Sequence, residues 1–300
     1  MRKTVPAMEL RSVISRVDEL KTQVDALRPI DAEQEARVMQ MFRLDWNYHS
    51  NAIEGNTLTL GETRAFLLHG ITAHGKPFRD YLDIKGHNEA IVYLENMVRG
   101  QELLTEAAIR ELHRILLVEP YEVEAVTSAG WPTRRRIAIG QYKTAPNHVR
   151  TSTGDVHYYA TPEETPAMMG DLMGWFRRET ERAELHPLML AATFHYRFVA
   201  IHPFDDGNGR MARLLMNLIL MQRGLVPIVI KLESRADYLL ALEKADVGEL
   251  EDFVVLVGEE LVRSLGLYLR AARHESLEEP GAFEQRVVRL HEQMATYDIE

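Results

Sequence analysis

The chain has 300 residues, 46% of them hydrophobic, with 35 Lys and Arg against 45 Asp and Glu for a formal charge of −10 at neutral pH. That length can bury a sizeable core. The acidic balance opposes general binding to nucleic acid or anionic membranes, and no apolar run is long enough to cross a bilayer. 

The absence of cysteine excludes disulfides and zinc–thiolate sites. The opening MRKTVPAMELRSV lacks the continuous apolar stretch of a signal peptide, so a cytoplasmic location is expected. The first predicted helix carries Leu10, Val13, Val17, Leu20, Val24 and Leu27 at alternating spacings of three and four, a seam that ends at Arg28-Pro29. It is too short to specify a coiled coil, which leaves two readings: docking on the chain's own core, or a homodimer contact. A second helix opens at Asp31, with Gln34 three residues on, and runs toward Ser50-Asn-Ala-Ile-Glu54, where Gly55 is a stop signal. Thr59 and Glu62 form a capping box for the next helix, and another starts near Thr105. From Gly140 to Met169, β-branched, aromatic, Gly and Pro residues read as a short hairpin and loop.

Two apolar helices follow, LMLAATFHYRFVAI and MARLLMNLILMQ, and the turn between them lies within HPFDDGNGRMAR, His202 to Arg213. Pro203 disfavours helical geometry at His202, while Gly207, Asn208 and Gly209 accept left-handed or open backbone states. Such a turn can aim successive N–H groups inward at a helix N-terminus, where they bind anions. Arg210 and Arg213 share one face of the first helical turn and add two charged forks, so the expected ligand carries several phosphates. His202 is the candidate general base, and Asp206 is a hard oxygen ligand suited to Mg²⁺ beside phosphate. Phe204 is expected to anchor the loop in the core. After about Arg273 a charged linker, HESLEEPGAF, leads to a short closing helix, EQRVVRLHEQM.

HPFDDGNGRMAR matches, at every fixed position, the signature HxFx(D/E)GNGRxxR of Fic domains, the enzymes of protein AMPylation, and the chain resembles that family from roughly Phe42 to Leu265. The resemblance implies a mostly helical fold with a small β-hairpin flap. It also implies transfer of AMP from ATP to a Ser, Thr or Tyr hydroxyl of a target protein, with release of pyrophosphate. His202 would take the hydroxyl proton and Asp206 would hold Mg²⁺. Gly207, Asn208 and Gly209 would cradle the phosphates, and Arg210 and Arg213 would grip the β and γ groups. The flap, about 137–160, would register a target segment by strand pairing through Lys143, His148 and Val149, with Lys143 standing where the family usually has arginine. Tyr238 and Asp246 lie on a helix resembling the family's adenosine side, and Asp246 departs from the usual asparagine.

Ser50 to Gly55 fits the family's inhibitory pattern (S/T)xxxE(G/N), N-terminal to the core. This resembles the class with an N-terminal inhibitory helix, in which Glu54 would pair with Arg213 and displace the γ-phosphate. Holding about 99% of molecules blocked needs roughly 2.7 kcal/mol. An exposed ion pair supplies about 0–1 kcal/mol, whereas breaking a buried one costs about 3–5 kcal/mol. The latch therefore predicts that Glu54 and Arg213 are buried together. The implied organisation is an N-terminal helical region (1–100) carrying the inhibitory motif at 50–56, a Fic domain (101–265) and a helical tail (266–300). Three other readings stay open: AMP removal by the same site, a non-enzymatic nucleotide-sensing module, and a metal hydrolase built on His195, His202, Asp205 and Asp206.

Overall fold

The computed structural model describes residues 7–126, 131–147, 149–150 and 156–277. Helix α1 (Ala7–Leu27) lays its seam along α10 (Glu251–Ala272), burying Val17, Leu20 and Val24; Gly258 of α10 leaves room for Val13. Of the two readings of that seam, docking on the chain's own core is the one observed. Helix α10 runs unbroken through residue 265, so the expected tail boundary moves to Arg273; EQRVVRLHEQM lies outside the described residues.

The caps appear where the sequence signals them. Asp31 accepts hydrogen bonds from the Glu33 and Gln34 N–H groups at the start of α2 (Ala32–Ile53). Thr59 and Glu62 complete their box on α3 (Leu60–His69), and Thr105 caps α5 (Glu106–Leu117). Helix α4 (Phe78–Arg99) packs on α5 so closely that a Cβ at Gly86 would overlap the Leu116 carbonyl. Backbone cannot move aside as a side-chain tip can. Gly86→Ala is therefore expected to lower stability by about 1–3 kcal/mol, read as a fall in urea midpoint at unchanged slope.

Helices α6 (Thr165–Arg182), α7 (Pro187–Ile201), α8 (Asn208–Gln222) and α9 (Arg235–Asp246) complete the bundle. Helix α8 is apolar nearly all round and is accordingly its buried centre: Met211, Ala212, Leu214, Leu215, Met216, Leu218, Ile219 and Leu220 are sealed from solvent. Its one mid-helix amide, Asn217, pairs with both backbone groups of Ile228 at 2.8 Å and pins the following segment. One continuous core reaches from Val17 to Leu277, spanning all three predicted regions.

The expected flap hairpin is joined by a second, unpredicted one. The longer hairpin, β1 (Tyr121–Val126) with β2 (Pro132–Ile137), lies upstream of the predicted flap, antiparallel, with Glu122 opposite Arg136 and Glu124 opposite Arg134. Within the flap, β3 (Val149–Arg150) pairs antiparallel with β4 (Val156–His157). Among the described residues, no helix is long and apolar enough to cross a membrane.

Candidate active site

His202 caps α7 in the left-handed region, φ 53° and ψ 60°, which turns the chain out of the helix. Gly207, also left-handed at φ 77°, turns it back into α8. Between them Phe204 is fully buried and stacks on His113, ring centroids 3.8 Å apart. The Asn208 side chain turns back on the loop. Its Oδ1 accepts from the Phe204 N–H at 2.9 Å and its Nδ2 donates to the Phe204 carbonyl at 2.8 Å, which closes the loop and leaves the side chain 2% exposed. Asn208 thus fixes the turn that opens α8.

The nest at the start of α8 is filled by the chain itself. Arg213 donates through Nη2 to Glu54 Oε1 and to the Ser50 carbonyl, both at 2.8 Å, and through Nε to Ser50 Oγ at 3.0 Å. The Glu54 carboxylate also lies against Gly209, so closely that a Cβ there would overlap Oε1. A carboxylate at a helix N-terminus sits where an anionic ligand would. The expected joint burial needs correction. The Arg213 side chain is 3% exposed, but that of Glu54 is 40% exposed, because Glu54 caps the end of α2 and reaches the nest from the solvent side. The arginine's charge survives burial through Glu54, which holds its pKa above the ordinary value.

Several partners of the motif were not anticipated. Arg210 is gripped at 3.0 Å by Asp83 of α4, approaches Asp206 at 3.6 Å and reaches Asn51 at 3.4 Å. Burial opposes its charge, yet Asp83, Asp206 and Glu54 outweigh that and raise its pKa. The β1–β2 hairpin is tied to the loop by two contacts. The Tyr121 hydroxyl donates to Asp206, and Arg135 pairs with the buried Asp205 carboxylate. Arg79 stacks over the Tyr121 ring at 3.7 Å. Burial pushes the Asp206 pKa up, but Arg210, the Tyr121 hydroxyl and the Gly207 N–H together hold it below the ordinary carboxylate value. Asp206 is therefore ionised at neutral pH.

His202 is half-buried under Tyr159, whose ring stacks on the imidazole at 3.9 Å and 19°. Burial first, and then the Lys143 charge, lower its pKa to about 4; the Val199 carbonyl, Glu54 and Asp206 oppose this without cancelling it. The ring is neutral at neutral pH and able to accept a proton.

Three further expectations are corrected. Lys143 is 2% exposed and bonded inward, so it cannot touch a target along the flap. Tyr238 is equally buried. Its hydroxyl pairs with His195 Nε2 at 3.0 Å and its ring lies beneath the Arg213 guanidinium, so it supports the arginine instead of meeting a nucleoside. Its partner His195 has its pKa lowered by burial to about 3 and faces away from His202's loop toward α9. Among the described residues no three His, Asp or Glu side chains converge in a metal-binding group, and the hydrolase reading loses its ligands. Asp246 is exposed at the end of α9 with a hydrogen bond from Tyr196. His148 lies outside the described residues; Val149 pairs with His157 in the flap.

The Fic/DOC family matches residues 103–220. A crystal structure of a Fic domain containing signaling protein from Bacteroides thetaiotaomicron is 39% identical, with a TM-score of 0.80, over 89% of this chain and 100% of that one. A fragment of Fic-1 from Caenorhabditis elegans is 30% identical at a TM-score of 0.71, covering 89% of this chain and 74% of that one. The protein adenylyltransferase fic-1 of Caenorhabditis briggsae is 32% identical over 89% of this chain and 48% of its own length. The protein adenylyltransferase Fic of Nematostella vectensis is 32% identical over 86% of this chain and 56% of its own. The chain thus spans about half the length of the curated relatives it matches.

Proposed function

Because the chain belongs to the Fic family, we propose that it is a protein adenylyltransferase: it transfers AMP from ATP to a hydroxyl of a target protein and is held closed at rest by Glu54. The observation that carries this reading is the anion nest at α8, with a neutral imidazole at one end and two arginines at the other. His202 takes the hydroxyl proton as the oxygen attacks the α-phosphorus, the bond to the bridging oxygen breaks, and pyrophosphate leaves. The N–H groups from Gly207 to Gly209, with Arg210 and Arg213, hold the phosphate charge as it shifts toward the leaving group. This is positioning and charge stabilisation more than covalent work by the protein.

Asp206 suits Mg²⁺, which takes one or two protein carboxylates and fills its octahedron with water and phosphate oxygens. It is ionised and beside the nest, and its present donors, Tyr121 and Arg210, are ones a cation could replace. Bound there, the ion would supply charge neutralisation on the phosphates. A target segment would pair along the flap edge of β3 and β4. The target itself, and a cytoplasmic setting, belong to this proposal.

The reaction class is tested by supplying Glu54→Gly protein with ATP labelled at the α or at the γ phosphate. Protein-bound label is expected from the α position only. Label from the γ position would assign phosphate transfer instead, and label from neither would favour a sensing module.

A further inference from the structure

The loop that carries His202 is gripped from one side by a five-residue stretch, residues 143 to 147. Lys143 donates its backbone N–H to the Pro203 carbonyl at 2.8 Å and its Nζ to the Ile201 carbonyl at 3.2 Å. The same Nζ donates to Asn147 Oδ1 at 2.8 Å. Asn147 Nδ2 in turn donates to the Phe204 carbonyl at 2.8 Å and to the His202 carbonyl at 3.4 Å. Four consecutive carbonyls, from residue 201 to 204, are thus engaged by two side chains and one amide.

These carbonyls need partners for two reasons. They leave the end of α7, where helix carbonyls lose their intrahelical donors, and a cation at a helix C-terminus is favoured by the dipole. His202 itself sits at φ 53°, a region that is strained for a non-glycine residue and persists only where neighbours over-determine it. Lys143 is buried, and its hydrogen bonds run to Asn147 and to the loop carbonyls, not to Arg210 or Arg213.

We propose that Lys143 and Asn147 form a clamp that holds the catalytic loop in the backbone conformation presenting the His202 imidazole. They are positioning residues: neither reaches the reacting atoms, and each acts through the carbonyls it binds. Burial already lowers the imidazole's pKa, and the lysine charge adds to that in the same direction. The proposal rests on the adenylyltransferase reading for its catalytic consequence, and on the hydrogen bonds alone for its structural one.

The test uses Glu54→Gly protein as parent and follows self-labelling with ATP. Lys143→Met is expected to lower the labelling rate at saturating ATP by about 10- to 100-fold, the scale set by small misplacement of a catalytic group. The half-saturating ATP concentration should stay within about twofold. Lys143→Arg, which keeps a donor for both acceptors, should recover the rate to within about threefold. The second readout is the NMR resonance of the His202 ring, identified by its loss in His202→Ala, which Lys143→Met is expected to shift and Lys143→Arg to restore. An unchanged rate in Lys143→Met from an active parent overturns the clamp. So does a loss of rate, ATP affinity and melting temperature together that arginine fails to rescue, because that is a folding defect. A parent that transfers nothing overturns the adenylyltransferase reading instead, and an unshifted His202 resonance then decides against the clamp independently.

Discussion

His202→Ala in a Glu54→Gly background is expected to lower AMP transfer by about 10²- to 10⁴-fold, the range that a positioned general base contributes. The imidazole is half-buried against Tyr159 at the mouth of the nest, so its removal deletes the base without opening the core formed by Phe204 and α8. His202→Asn is the companion variant. Asparagine accepts the left-handed backbone that His202 occupies, φ 53°, and so separates loss of the base from strain in the loop. The pH profile adds a second check. With its pKa lowered to about 4 by burial and by Lys143, the ring keeps its basic form as pH falls, and transfer by Glu54→Gly protein should hold steady down to about pH 5. Removing Glu54 takes away one of the charges that raise this pKa, which moves the acid limb lower still. An acid limb near the ordinary histidine value, about 6.5, would place the base in a different environment from the one seen. Equal transfer with and without His202 would remove it from the chemistry altogether.

What the sequence displayed, and what it hid, follows from the range of the interactions. The motif from His202 to Arg213 is contiguous, so its turn residues, helix start and charged face could be read locally, as could the Asp31, Thr59 and Thr105 caps. Asp83, Tyr121 and Arg135 could not, for they meet Arg210, Asp206 and Asp205 across 127, 85 and 70 residues and have no spacing that pairs them. The β1–β2 hairpin did leave a signal: Tyr121-Glu-Val-Glu-Ala alternates apolar and polar over five residues, the period of a half-buried strand. Tyr238 and Lys143 were read as ligand or target contacts because they fall at positions resembling the family's adenosine-side helix and flap. Both instead serve as buried supports, Tyr238 under Arg213 and Lys143 under the catalytic loop, and a single sequence carries no mark of that difference. At closer range, the Asn208 side chain turns back on Phe204 and closes its own loop.

Glu54→Gly is expected to raise AMP transfer by about 2- to 100-fold. Two terms hold the glutamate in place. An ion pair whose carboxylate is 40% exposed contributes about 0–1 kcal/mol, and a carboxylate at a helix N-terminus about 0.3–2 kcal/mol. Together they amount to about 0.3–3 kcal/mol, at about 1.4 kcal/mol for each factor of ten. That is smaller than a jointly buried pair would give, and it has a consequence: the latch is set to yield to a competing anion. A phosphate bound at Gly209 and Arg213 must displace the Glu54 carboxylate, whereas Ser50 continues to engage Arg213 through its hydroxyl and its carbonyl. Saturating ATP should therefore narrow the gap between wild type and Glu54→Gly, and the apparent ATP affinity of Glu54→Gly should be tighter by a similar factor. Glu54→Gln keeps the shape, loses the charge and should fall between the two. Labelling rates and ATP titrations of the three proteins decide the matter. Equal transfer by wild type and Glu54→Gly at every ATP concentration would show that the carboxylate at Gly209 is a resting ornament of the fold and not a latch.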